Sequence, residues 1–231
     1  MLASTTLKQN AAASDGPRLS RRSLMLGSLA GLGVLGLGGC ATMRPSADYP
    51  DIYRALPDER FPIPAADFSQ IDPRYLRRVV RYRTDEEPGT IIIDPGNFYL
   101  YHILEDGFAT RYGANVGRAG FLWTGEAYIG RKAEWPIWTP TPDQIGRDPW
   151  LVEHAGGMAP GLDNPLGSRA LYLYQDGVYT LYTIYGTALE WTIGQGVSSG
   201  CVGLLNQDVI HLFELIPIGT KVIVLPAGDA I

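Results

Sequence analysis

Two short turn signals, Asp106-Gly107 and Gln175-Asp176-Gly177, each lie between runs of aromatic and β-branched residues, and they constrain this chain more than any other feature. Each should fold its flanking runs back as a hairpin. The first joins Asn97–Leu104 to Phe108–Gly113 and follows the apolar run Thr90–Asp94 and a Pro95-Gly96 turn; the second joins Ala170–Tyr174 to Val178–Ile184. In the latter strand Tyr179, Leu181, Thr183 and Tyr185 share one face, and Thr180, Tyr182 and Ile184 the other. One segment has helical spacing: Val209, Ile210, Leu212, Phe213 and Ile216 over Asn206–Leu215, stopped by Pro217 and Gly219. Lys221–Leu225 reads as a last buried strand, while residues 114–169 hold many Gly, Pro and Trp and little pattern, as functional walls or lids do. A total of 28 Gly and 17 Pro agrees with a turn-rich, mainly β domain with one helix.

The first forty residues read as an address. Ser20-Arg21-Arg22-Ser23 precedes a Gly-studded apolar stretch to Leu37, too short and too glycine-rich for a good spanning helix. The paired arginines resemble a twin-arginine export signal; a general secretion signal and an uncleaved anchor are the alternatives. Leu37-Gly38-Gly39-Cys40 resembles a lipobox, which makes Cys40 the lipidation site and residues 1–39 a signal peptide; otherwise Cys40 is incidental. Cleavage removes four of the 19 basic and one of the 24 acidic residues, leaving a side-chain charge of −8. A chain so acidic is not drawn to anionic lipid by charge, so its membrane partner must be reached through the covalent anchor. The resemblance to a lipoprotein signal, with Ala41 and not Asp after the cysteine, implies the outer membrane, facing the periplasm. Residues 40–88, rich in Pro, Asp and Arg, read as a tether and lead-in to a domain over 89–231, with helical or strand potential at Asp72–Arg83.

The acidic balance and the lack of a basic stripe argue against nucleic acid as a partner. The two cysteines, Cys40 and Cys201, match no metal-ligand spacing, and no metal or organic cofactor is implied. With Cys40 alkylated, Cys201 is the lone thiol in a disulfide-permitting compartment, which marks it as a reactive candidate.

Around that thiol, Tyr185-Gly186-Thr187, Trp191-Thr192-Ile193-Gly194 and Ser198-Ser199-Gly200-Cys201 resemble the L,D-transpeptidase (YkuD) catalytic domain. The likeness continues through Leu205–Val209 and Pro217–Val222, and includes Trp138–Pro142 and Asp163-Asn164-Pro165-Leu166-Gly167, spanning about residues 90–226. It implies a β-sandwich-like domain whose helix follows the nucleophile. It implies cysteine acyl transfer on peptidoglycan stem peptides, through a thioester passed to an amine of another stem, to an envelope protein or to water. By position Cys201 is the nucleophile, Gly200 allows a tight turn, and amides around Ser199–Cys201 are the oxyanion donors, with Ser198 beside them. Gly186, Thr187 and Asn164 fall where substrate contacts are expected.

Two positions depart from the family pattern in ways that matter, and a third differs with less consequence. The base is a histidine sixteen residues before the cysteine, where this chain has Tyr185, a neutral phenol with a reference pKa of about 10 and a poor base for a thiol. An arginine common two residues after the cysteine is Gly203, and Ser199 replaces the histidine beside the Gly-Cys pair. Tyr185 reads as a cleft-lining aromatic or as a hydrogen-bonding partner of Cys201. Of the remaining histidines, His102 and His211 read as structural, and His154 as a substrate contact or stand-in base. The residues thus leave an acyltransferase, a silent peptidoglycan- or partner-binding module, and a structural envelope tether.

Overall fold

A computed structural model describes residues 51–118, 123–198 and 200–228, and Cys40, Ser199 and the export signal lie outside them. The strands are β1 (Arg78–Arg81), β2 (Ile91–Asp94), β3 (Tyr99–Ile103), β4 (Phe108–Gly113), β5 (Val116–Gly117) and β6 (Gly125–Glu134). After the short helix α1 (Pro142–Arg147) come β7 (Arg169–Gln175), β8 (Val178–Thr187), β9 (Gly196–Ser198), β10 (Val202–Leu205), helix α2 (Asn206–Leu215) and β11 (Lys221–Val224). The order β1-β4-β3-β2-β11-β6-β7-β8-β10 makes one mixed sheet, and β5 pairs with β9 in a second, two-stranded one.

Both hairpins turn where the sequence asks. Asp106 and Asp176 take φ of 58° and 50°, followed by Gly107 and Gly177 at 73° and 79°, the pair of positive values that matches strand twist. An antiparallel bridge joins Asn115, just beyond β4, to Gly203 in β10, so strands distant in the sheet order meet. Between them lies the main core: Ile91 and Ile93 of β2, Leu100 of β3, Ile129 of β6, Leu171 and Leu173 of β7, Ile184 of β8, Val202 and Leu204 of β10, and Val209 and Leu212 of α2. Full burial of each such side chain contributes about 1.5–3 kcal/mol.

Residues 51–81, within the stretch expected to be tether and lead-in, pack into this domain. Arg78–Arg81 pairs antiparallel with β4, and Tyr53, Ala66, Ile71 and Leu76 form a cluster with Ile193 and Leu205. The Tyr53 hydroxyl donates to Asp208 at the start of α2, 3.0 Å away, and Arg77 Nε lies 3.5 Å from the other carboxylate oxygen.

The helix after the cysteine forms with the expected bounds, but it is not the only one. Thr141 accepts from the Gln144 amide, Gln144 returns a bond to the Thr141 amide, and Pro142 opens the turn, so a capping box starts α1 inside the supposedly irregular region.

Candidate active site

Cys201 sits on the turn between β9 and β10. Ser198 Oγ donates to the Cys201 carbonyl at 2.6 Å and accepts from the Gly200 amide at 3.2 Å, closing the turn from inside. Gly200 takes a φ of 132°, and a Cβ added to Gly117 would stand 2.7 Å from the Gly200 Cα, so both glycines are required by close approach. With its amide committed to Ser198, Gly200 is not a free oxyanion donor in this arrangement.

The thiol donates to the Leu181 carbonyl at 3.5 Å. That carbonyl is available because β8 bulges. Tyr172 pairs with Thr183 and Tyr174 with Tyr179, so Leu173 alone faces three residues of β8. Thr180 Oγ1 bridges the gap, donating to Leu173 O at 2.9 Å and accepting from the Tyr182 amide at 3.2 Å. At the apex Leu181 has a φ of 65°, a left-handed conformation that costs a non-glycine residue about 1–3 kcal/mol and concentrates at functional sites. The regular alternation read from the sequence is interrupted here, because a threonine side chain replaces ladder bonds. The intended faces survive, since Tyr179, Leu181 and Thr183 line the site while Tyr182 and Ile184 are in the core.

Cys201 opens into a cleft of about 450 Å³ with Tyr172, Tyr179, Leu181 and Thr183 on one side and Ile137, Trp138, Asp143, Gln144 and Arg147 on the other. Arg131 joins the lining. A register shift between Ile129 and Arg131 re-aims this side chain, whose guanidinium carbon lies 3.5 Å from the Tyr172 ring centre. Burial pushes the Cys201 thiol up from its ordinary value, and hydrogen bonds from the Thr183 backbone and hydroxyl oppose that only in part.

Tyr185, in the position of the family's base, does not reach out to the thiol. Its hydroxyl donates to Asn115 Oδ1 at 3.0 Å, and the same oxygen accepts from the Gly203 amide at 3.0 Å. Asn115 Nδ2 in turn donates to Thr192 Oγ1 at 2.8 Å. Gly203 is directly opposite Tyr185 in the parallel β8–β10 register, and a Cβ on it would lie 2.5 Å from Asn115 Oδ1. The two departures are therefore one arrangement: glycine leaves the room that the asparagine needs to hold the phenol. Burial, with the neighbouring Cys201, drives the Tyr185 phenol far above its ordinary value, so it is neutral and no base.

The other expected residues fall elsewhere. Gly186 lies beneath α2, where a Cβ would strike Asn206 and Val209, and Thr187 Oγ1 accepts from the Leu189 amide. Asn164 is buried; its amide nitrogen donates to Pro136 O, Met158 O and Ala159 O, and its oxygen accepts from Leu166 N. It shapes the loop that brings Leu166 to the cleft. None of these three lines the cleft. His154 is flanked by Trp138 and Trp150, 3.6 Å from Glu153, and does not line it either. His102 is buried in β3, and His211 accepts or donates 2.8 Å from the Tyr112 hydroxyl, its pKa pulled down to about 4 chiefly by burial. Sequence reasoning missed Asn115, Thr183 and Arg131 as site residues. Only the shared strand face of Thr183 and Tyr185 hinted at one of them.

The mainly β domain carries its one cysteine on a Ser-x-Gly-Cys turn at the floor of a cleft. The L,D-transpeptidase catalytic domain model, YkuD, covers residues 88–224. The chain belongs to that family. It is 44% identical over 102 residues to a putative L,D-transpeptidase from the ATP synthase subunits region of Fuscovulum blasticum, covering 44% of this chain and 49% of that one. It is 33% identical over 138 residues to the probable L,D-transpeptidase ErfK/SrfK of Escherichia coli, covering 57% and 42%. The chain thus spans about half the length of these curated relatives or less. Among solved structures, one from Brucella melitensis, described as a probable carnitine operon oxidoreductase, is 42% identical with a TM-score of 0.47 and covers 69% of this chain and 99% of that one. An L,D-transpeptidase from Stackebrandtia nassauensis is 16% identical with a TM-score of 0.43, covering 65% and 61%.

Proposed function

We propose that the protein is a slow cysteine acyltransferase acting on peptidoglycan stem peptides. The observation that carries this reading is the Cys201 thiol on the cleft floor, set by Ser198 and by a bulge that costs backbone strain. In the step proposed, a bond forms from Sγ to the carbonyl carbon after the third stem residue, the C–N bond to D-alanine breaks, and the thiol proton leaves with the departing amine. An amine of another stem or of an envelope protein, or water, then breaks the thioester and returns a proton to sulfur. With no histidine lining the cleft, the loss of general-base help lowers the rate by about 10²–10⁴.

One observation favours a second reading, a silent module that holds stem peptides: the Tyr185 hydroxyl is committed to Asn115. Intact-mass measurement separates the two. The full chain carrying Cys40→Ser, incubated with disaccharide-tetrapeptide or a carbapenem, is expected to gain an adduct that the added Cys201→Ala change removes. No adduct over hours, with Tyr185→His gaining one, would withdraw the acyltransferase and leave the module.

We further propose that the chain is exported and anchored through Cys40 to the outer membrane, facing the periplasm, in keeping with the Leu37–Cys40 sequence. The mature protein should then begin at a diacylglyceryl-modified Cys40, and Cys40→Ser should release it from membranes; a Cys40→Ser protein that still sediments with membranes contradicts the anchor.

A further inference from the structure

If no imidazolium stands beside the sulfur, something else must hold the thiolate long enough to react. We propose that Thr183 is the residue that stabilises the Cys201 thiolate, with Tyr179 as the positioning residue behind it. The inference deepens the acyltransferase reading and concerns the same thiol, but its evidence is independent of any substrate.

Thr183 is 2% exposed and lines the cleft together with Cys201. It precedes Ile184, which stands opposite Val202 in the β8–β10 register, so the threonine and the cysteine are neighbours across the two strands. Its backbone N–H and hydroxyl both favour the charged form of the thiol. Its Oγ1 is 2.6 Å from the Tyr179 hydroxyl, a short contact in which either group is able to donate. The threonine has one hydroxyl proton. If Tyr179 donates to Oγ1, that proton is directed at sulfur, giving a chain from the phenol through Thr183 to Sγ. In the resting thiol the S–H points to Leu181 O, so deprotonation breaks that bond and leaves sulfur as an acceptor only. A pair of donors from one residue is what an anion there needs, and charge-assisted bonds of this kind are about twice as strong as neutral ones. The β8 bulge makes the geometry possible: it turns the Leu181 carbonyl to the thiol while Thr183 returns to register opposite Tyr172.

The other tyrosines near the sulfur do not supply this role. Tyr182 and Tyr185 on β8 and Tyr172 on β7 are all pushed up by burial and stay neutral at working pH, with Tyr185 tied to Asn115. Arg131 on β6 and Asp143 and Arg147 on α1 line the cleft and are left unchanged by the variants below.

The test uses the full chain with Cys40→Ser, so that Cys201 is its one thiol, and follows alkylation by iodoacetamide against pH by intact mass. Thr183→Val is expected to move the midpoint up by about one pH unit and slow alkylation at pH 8 about tenfold, the size of one charge-assisted hydrogen bond. Thr183→Ser, which keeps the hydroxyl, should stay within about twofold of the parent, and Tyr179→Phe should slow alkylation about threefold. Coincident profiles for Thr183→Val and the parent overturn the proposal, as do equal losses in the valine and serine variants, which would mean packing and not the hydroxyl. Should Thr183→Val fail to fold, an unchanged profile for Tyr179→Phe overturns it instead. Stem-peptide acylation that fails while the Thr183 dependence holds withdraws the acyltransferase alone; the reverse pattern withdraws only this proposal.

Discussion

Two acids in this domain are raised by the loss of water around them, one half-buried and one fully buried, and they put the same physics to different ends. At the cleft the acid is the Cys201 thiol; at the junction between the lead-in and α2 it is the Asp208 carboxyl. Burial raises both, and in each place donors work against it: Thr183 on the sulfur, Arg77 and Tyr53 on the carboxylate. A raised thiol remains in its neutral form near pH 7 and asks nothing of the fold. A carboxyl pushed up to about 7 titrates in the working range, so its burial becomes a matter of stability. The comparison teaches that a reactive group tolerates burial at little structural expense when its resting form is uncharged.

The largest expected effect belongs to the junction. Arg77→Ala leaves Asp208 buried without its cation and should lower unfolding free energy by about 3 kcal/mol at pH 8, and by less at pH 5, where the carboxyl protonates. Denaturant titration at the two pH values checks this; equal losses at both would remove the charge explanation. Wild-type protein carries the matching signature. Because the folded pKa of Asp208 lies above the unfolded one, its contribution is fully present below about pH 4 and lost as pH rises through about 7. Stability should therefore fall by about 2 kcal/mol from pH 5 to pH 8, and Asp208→Asn should flatten that slope.

A smaller effect sharpens the contrast on the cleft side, where the Tyr185 network is uncharged. Gly203→Ala drives a methyl into Asn115 and should cost about 1–3 kcal/mol with no pH dependence over the same window. In an Asn115→Ser background the added cost should shrink, because the smaller side chain vacates the space; simple additivity in that cycle would show that the two positions are not coupled.

Much of the framework was legible because its signals are local. Asp106-Gly107 and Asp176-Gly177 dictate their turns within two residues, and the spacing from Val209 to Ile216 marks α2. Cys201 was legible from its Ser-x-Gly-Cys context. The short helix α1 announced itself through Thr141-Pro142 and Gln144, a capping signal obscured by the glycines and prolines around it. What stayed hidden depends on partners far along the chain. Asn115 meets Tyr185 and Gly203 at separations of 70 and 88 residues, and Tyr53 meets Asp208 at 155. No local pattern reports such pairings. The β8 bulge was hidden for another reason: Thr180 fits a regular strand as well as it bridges an irregular one, and only the register shows which it does. For the same reason Gly186, Thr187 and Asn164, though part of recognisable motifs, act beneath the cleft and not in it.

The central claim is that Cys201 forms a covalent acyl adduct although Tyr185 stands in place of a histidine. The most direct test is the intact mass of the Cys40→Ser full chain after hours with disaccharide-tetrapeptide, beside its Cys201→Ala counterpart. A mass gain equal to the acyl fragment without D-alanine, confined to the protein that keeps Cys201, is the predicted result. A folded protein whose mass never changes, while its Tyr185→His variant acquires the adduct, would contradict it.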